Sequence, residues 1–308
     1  MKILKTPASR FDNLPGYSFQ AAYINVAGVE EAQIGHQQLL MHYVDYGKKD
    51  APLILMLHGE PTWSYLYRKM ICQAQAQGFR VIAPDLIGFG KSDKFDSQDA
   101  YTYANHLRWL ETLLEKLQIQ NMHLICQDWG GLLGLRLVAK FPDTFSSVVA
   151  ANTMLPTGDH KTPDAFFKWQ QFSQEVDVFP VGEVIQKATV NELIPEVIDA
   201  YDAPFPSEAH KCGVRKFPML VPTQPDNPES ENNRLAWKNL SNYKKPFLTA
   251  FSDSDPITAG GDKVFQNLIP GCKGQAHTTL KGGGHFLQED VGNELISIAL
   301  SFFEKQQN

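Results

Sequence analysis

The stretch Met122-His123-Leu124-Ile125-Cys126-Gln127-Asp128-Trp129-Gly130-Gly131-Leu132-Leu133-Gly134 reads as a buried strand, a sharp turn and the start of a helix, with Asp128 on the turn. Leu124, Ile125 and Cys126 form a short apolar run, and Gly130, Gly131 and Gly134 leave room for a helix to pass close to a strand. Cys126, Asp128 and Gly130 meet the small-x-nucleophile-x-small spacing of a nucleophile elbow. A serine at the centre of such a turn is inert until a base takes its proton, whereas a carboxylate is already ionised at neutral pH. Asp128 thus reads as a ready oxygen nucleophile, with a plain helix N-cap as the alternative.

The segments around this turn have a matching rhythm. Leu53–Leu57 is a continuous apolar run, as in a strand buried on both faces, and it stops at His58-Gly59-Glu60-Pro61 before a helical stretch over 64–77. Residues 80–83 repeat the pattern, followed by a glycine-rich loop and a helix over 103–117 whose Leu107, Leu110, Leu114 and Leu117 mark a core-facing stripe. Phe145–Ala151 supplies a further buried strand, and the alternating Gln38–Tyr46 suits an antiparallel edge strand. Strand and helix alternating in this way predict an α/β fold with a mostly parallel sheet covered on both faces. In such folds binding loops lie beyond the carboxyl ends of the strands.

The alternation lapses over 156–228, which is rich in Pro and aromatics and holds only short helical pieces. This predicts an inserted helical cap, with 1–155 and 229–308 as the two parts of one core. Strands resume over 246–251 and 277–280, and an amphipathic helix over 288–305 closes the chain. Both late strands end on polar clusters, Ser252-Asp253-Ser254-Asp255-Pro256 and Gly282-Gly283-Gly284-His285-Phe286. Nucleophile, acid and histidine in that chain order match a hydrolase triad, in which the acid orients the imidazole and the imidazole acts as base. Asp253 and Asp255 both qualify as the acid, and either also suits a turn.

Composition removes other function classes. The 308 residues carry 28 basic and 34 acidic side chains, a net charge of −6 with no block of one sign, so neither nucleic acid nor an anionic membrane is an expected partner. The first residues lack a signal-peptide core and no apolar run nears the length of a membrane span, which predicts a cytoplasmic protein. Four scattered cysteines, without a C-x-x-C pair or zinc-like histidine spacing, predict neither disulfide nor metal. The loop 85–92 ends like a phosphate-binding loop, but Asp85 occupies its first glycine position, so nucleotide binding is rejected in favour of a structural turn.

The stretches His58-Gly59-Glu60-Pro61-Thr62-Trp63-Ser64-Tyr65-Leu66-Tyr67-Arg68, Gln127-Asp128-Trp129-Gly130-Gly131 and Gly283-Gly284-His285-Phe286 resemble haloalkane dehalogenases of the α/β-hydrolase superfamily, and the resemblance covers almost the whole chain. It implies cofactor-free hydrolysis of a small apolar halogenated substrate by water, releasing halide through an alkyl ester on Asp128, with His285 as base. The similarity is to the subfamily whose acid follows the strand after the cap, which points to Asp255. Where another subfamily carries a glutamate acid this sequence has Asn152, which cannot ionise. The resemblance further implies halide binding by the indoles of Trp129 and Trp169, an oxyanion hole from the backbone N–H groups of Glu60 and Trp129, and a monomer or weak homo-oligomer. An ionised glutamate at position 60 would repel halide, which assigns both donors to tryptophans. Phe166, Phe167, Phe172, Phe179, Leu220 and Val221 are candidates for the pocket wall, or for core.

Two rivals share parts of this pattern. An epoxide hydrolase uses the same machinery but needs acidic hydroxyls from its cap, and between 156 and 228 only Tyr201 offers one. A non-catalytic hydrolase-like binding protein would keep the pocket without needing Asp128, Asp255 and His285 together.

Overall fold

The computed structural model describes residues 1–27 and 38–306. Its strands, in chain order, are β1 Ile3–Leu4, β2 Ala21–Ala27, β3 Gln38–Tyr46, β4 Leu53–Leu57, β5 Arg80–Pro84, β6 Lys94–Phe95, β7 Met122–Gln127, β8 Phe145–Ala151, β9 Phe247–Ser252 and β10 Thr278–Leu280. The short β1 and β6 pair as a separate antiparallel ribbon. The other eight form one sheet in the order β10-β9-β8-β7-β4-β5-β3-β2, parallel from β10 through β5 and antiparallel beyond. Every residue of β4 and of β7 is buried, the pattern of strands covered on both faces.

The edge strand differs from the sequence reading. Gln38–Tyr46 is antiparallel but lies one strand in, and the edge is β2. The signal in β2 is weak because its inward face is only Ala22, Ile24 and Val26, and the apolar Ala21 and half-exposed Tyr23 (49%) share the outward face with Asn25.

Helices α1 Arg68–Ala76, α2 Tyr103–Lys116, α3 Trp129–Lys140, α8 Ser230–Leu240, α9 Gly261–Leu268 and α10 Leu287–Glu304 alternate with the strands. Thr102 caps α2 by accepting the Asn105 N–H at 3.1 Å, and the leucines at 107, 110, 113 and 114 turn inward. Between β8 and α8 lie α4 Asp164–Glu175, α5 Val181–Lys187, α6 Pro195–Asp202 and α7 Cys212–Leu220. This stretch is fastened to the rest through a buried cluster. Arg68 of α1 pairs with Glu289 of α10, its Nη2 at 2.9 Å, and the Tyr201 hydroxyl of α6 donates to the same carboxylate. Among the described residues no helix is long and apolar enough to cross a membrane.

The strand order reverses around β4, with β5 on one side and β7 on the other. In open α/β sheets a crevice opens at this switch point beyond the carboxyl ends. The segments leaving β4, β7, β8, β9 and β10 all converge there.

Candidate active site

Asp128 follows β7 directly and holds φ +50°, ψ −126°, a region an L-residue occupies at a cost of about 1–3 kcal/mol. The surroundings enforce it. Its N–H donates to the Asn152 carbonyl at 3.0 Å, its own carbonyl accepts from Thr153 Oγ1 at 2.7 Å, and α3 packs so close that a Cβ on Gly130 would meet the Leu57 oxygen at 2.0 Å. Asp128 occupies the N-cap position of α3, yet its side chain makes no capping bond. The carboxylate instead turns into the crevice, where Oδ1 accepts the Glu60 N–H at 2.7 Å. A Cβ on Gly59 would strike the Asp128 Cβ at 2.4 Å, so glycine there permits the close approach.

His285, in the loop between β10 and α10, is 6% exposed and lies between two carboxylates. Its Nδ1 is 2.9 Å from Asp255 Oδ2 and its Nε2 is 3.4 Å from Asp128 Oδ2. Burial works against a charged imidazole, but Asp255 and then Asp128 outweigh it and push the His285 pKa up to about 10. Burial would likewise raise Asp255, and the facing imidazole together with the Thr258 hydroxyl and the Ile257 N–H brings it down to about 2. Asp253 plays a different part. It is exposed and accepts the Gly282 N–H at 2.9 Å, tying the two loops together from outside.

Two residues that the sequence reading left without a role hold the imidazole loop. Asn152, with φ +36°, donates from Nδ2 to the carbonyls of Gly284 at 2.9 Å and His285 at 3.1 Å, and accepts the Ser252 N–H at 2.8 Å. Gln127 donates to the His285 carbonyl at 3.1 Å and places its amide nitrogen 3.3 Å from Nε2. An amide after one strand and another at the end of its neighbour give no local signal, because these partners lie a hundred or more residues away in sequence.

These side chains open onto one mostly apolar cavity, lined by Glu60, Asp128, Trp129, Trp169 and His285 with Leu132, Met154, Phe166, Val184, Val221, Ile257 and Phe286 among its apolar walls. Trp129 is wedged between Tyr103 and Phe217, with centroids at 5.2 and 4.6 Å. Trp169 on α4 is backed by Phe172 and Phe179 at 5.9 and 5.7 Å. Of the aromatic and aliphatic candidates, Phe166 and Val221 reach the cavity, Phe172 and Phe179 support Trp169 from behind, Phe167 is 39% exposed and Leu220 faces a separate surface cleft. Trp237 lines a neighbouring hollow and spends its indole N–H on the Leu155 carbonyl at 2.7 Å. Tyr201 is fully buried and committed to Glu289, away from the cavity.

The remaining motif is structural. Asp85 accepts from the backbone N–H groups of Ser64 at 2.8 Å and Lys91 at 2.7 Å and faces His42, so the 85–92 loop is closed on its own carboxylate. His58 is likewise spent. Leu86 N–H donates to its Nε2 at 3.0 Å, which leaves Nδ1–H for the Gly59 carbonyl at 2.9 Å.

The chain matches the family model for the alpha/beta hydrolase fold over residues 52–290. It is 57% identical over 302 residues to a haloalkane dehalogenase of Psychrobacter cryohalolentis, covering 98% of both chains. A haloalkane dehalogenase of Mycobacterium marinum is 44% identical across 98% of this chain and 100% of its own. Among solved structures, the haloalkane dehalogenase of Paraglaciecola agarilytica, described as tetrameric, superposes with a TM-score of 0.88 at 35% identity over 98% of each chain. Sequence, architecture and full-length coverage agree: the chain belongs to the haloalkane dehalogenase family of the α/β-hydrolase fold.

Proposed function

We infer that this protein hydrolyses small apolar haloalkanes to an alcohol, a halide ion and a proton. The observation that carries the reading is the Asp128 carboxylate, which sits at an elbow without capping its helix and points into an apolar cavity between Glu60 N–H and His285.

In the first step a carboxylate oxygen of Asp128 attacks the halogen-bearing carbon from behind; the new C–O bond forms as the carbon–halogen bond breaks, and the electron pair leaves with the halide. The indole N–H groups of Trp129 and Trp169 receive that charge, which the apolar walls would otherwise leave unsolvated. In the second step His285 takes a proton from water, and the hydroxide adds to the ester carbonyl. The resulting oxyanion lies near the backbone N–H groups of Glu60 and Trp129, the latter free of any helical partner at the first position of α3. Collapse breaks the bond between the carbonyl carbon and the alkyl oxygen, which leaves as the alcohol carrying the proton of the new acid; the carboxylate is regenerated, and the imidazolium returns its proton to water.

The charge arrangement suits this order. While Asp128 is ionised it helps hold a proton on His285. Once Asp128 is an ester that contribution is gone, the imidazole gives up its proton more readily, and the base becomes available for the step that needs it. Asp255 keeps the ring oriented throughout.

Helices α4 to α7, within 156–228, act in this reading as the cap, supplying Phe166, Trp169, Val184 and Val221 to the wall opposite the sheet. A monomer or weak homo-oligomer is the assembly that goes with this reading. The epoxide reading loses its proton donor because Tyr201 is engaged elsewhere. The test is halide release from short brominated and chlorinated alkanes beside an epoxide panel. Sustained bromide release without epoxide opening is the expected result, and epoxide opening alone would overturn the assignment.

A further inference from the structure

The loop that carries His285 is held from two sides. From the sheet, Asn152, Gln127 and the Ser252 hydroxyl donate to its carbonyls at Gly284 and His285. Its N–H groups are bound elsewhere. Gly284 N–H donates to Asp290 Oδ2 at 2.8 Å, and Phe286 N–H donates to the carbonyl of Ala188, just past the end of α5, at 3.4 Å. Asp290, in the first turn of α10, also accepts the N–H groups of Val190 and Asn191 at 3.0 and 2.8 Å, and its own carbonyl accepts Asn191 Nδ2 at 3.2 Å. One carboxylate thus ties the segment 188–191 to the residue that precedes the imidazole.

We propose that Asp290 is a positioning residue: it couples the seating of the segment after α5 to the placement of His285, and so sets the rate of ester hydrolysis while leaving ester formation alone. The segment moves as one piece with α5. Gln186 accepts the Leu193 N–H at 2.7 Å and donates to the Asn191 carbonyl at 3.2 Å, and the Thr189 hydroxyl donates back to the Gln186 carbonyl at 2.9 Å. Val184 of this helix and Ala188 behind it both line the catalytic cavity, so whatever fills the cavity meets the same piece that Asp290 holds. The contact also has no slack. A Cβ on Gly284 would meet the Ala188 oxygen at 2.4 Å, which means that a shift of the segment either presses on the histidine loop or releases it. The backbone of α10 breaks helical geometry at Val291 (φ −131°, ψ 26°), directly after Asp290, and such a break is kept where contacts outside the helix enforce it.

The residue type fits the task. Three backbone N–H groups from two separate segments converge on one side chain, and an ionised carboxylate offers acceptors on both oxygens, with bonds stronger than those to a neutral group. An amide of the same shape keeps one acceptor oxygen and turns donors toward donors. On the dehalogenase reading, which this role presupposes, attack by Asp128 on the halogen-bearing carbon makes no use of the imidazole. Hydrolysis of the ester does, and a base displaced by about 1 Å from the water it activates loses about 10²-fold in rate. Loosening Asp290 should therefore separate the two steps, whereas general loosening of the fold would slow both.

The experiment is a rapid-quench single turnover of a short brominated alkane by wild type, D290N, D290A and G284A, with enzyme in excess and with bromide and alcohol followed separately. In D290A bromide should form within about threefold of the wild-type rate, while alcohol appears about 10²-fold more slowly and the alkyl group accumulates on Asp128. The bromide arm shows at the same time that the site is folded. D290N should fall between D290A and wild type, and its unchanged shape carries the test if D290A does not fold. G284A leaves Asp290 intact and wedges a methyl group against Ala188, and it should show the same separation of the two steps. Equal slowing of bromide and alcohol in these variants overturns the proposal, since it assigns Asp290 to stability alone. Alcohol formation at the wild-type rate in D290A or G284A overturns it as well. Wild type that forms no bromide would bring down the dehalogenase reading itself.

Discussion

The two walls of the cavity are built by different means. On the sheet side, Asp128, His285 and Asp255 sit at the ends of strands and each is fixed by several directed hydrogen bonds, from Glu60, Thr258, Ile257, Asn152 and Gln127. On the helical side, Trp169 is held by the rings of Phe172 and Phe179, and Phe166, Val184 and Val221 are placed by apolar packing. Hydrogen bonds fix direction to a few tenths of an ångström; packing fixes volume and tolerates exchange of one hydrocarbon for another. The difference assigns the chemistry to one wall and the choice of substrate to the other.

The largest effect belongs to Asp128. Asp128→Ala should lower halide release by about 10⁴-fold or more, since Asp128 is the carboxylate seated between the Glu60 N–H and His285; a halide-release assay that finds appreciable turnover would move the nucleophile elsewhere. Asp255→Asn should come next, slowing hydrolysis of the ester by about 10²–10⁴-fold while sparing the first step. Because Asp255 raises the His285 pKa, its removal should move the imidazole's titration downward, and this is readable by NMR.

On the helical wall the expected effects shrink. Trp169→Phe keeps the ring and removes one N–H from an anion, which should weaken bromide binding by about 1.5–3 kcal/mol and slow carbon–halogen cleavage. Unchanged affinity would free Trp169 from the halide site, and the Trp237 indole, bound to Leu155, offers no ready replacement. Val184→Ala should do least. It widens the cavity and shifts the ratio of kcat/KM between long and short substrates by about tenfold, with turnover of the best substrate retained. A larger loss of turnover at Val184 than at Asp255 would erase the division between the walls.

Much of the sheet-side wall was legible because local pattern and chain order carry it. An apolar run ending in Gln-Asp-Trp-Gly-Gly names the elbow, and the late polar clusters stand at strand ends. The choice between Asp253 and Asp255 was not legible from spacing, since both follow the same strand; the fold turns Asp253 outward to Gly282 and leaves Asp255 facing the imidazole. The hydrogen-bonding roles of Asn152 and Gln127 were not legible for a related reason. Their partners are assembled only when β7, β8, β9 and β10 are laid out in one sheet. The helical wall was least legible. Phe167 and Phe172 share one helix and one composition, and only the way α4 sits against α7 sends one outward and sets the other behind Trp169.

The mechanism turns on a covalent ester on Asp128 whose breakdown alone needs His285. The direct measurement is a rapid-quench experiment on His285→Gln with a brominated alkane, following bromide and peptide mass together. About one equivalent of bromide per site is expected, then no further release, with the alkyl group retained on the peptide that contains Asp128. Continued bromide release, or a burst with no mass added at Asp128, would contradict it.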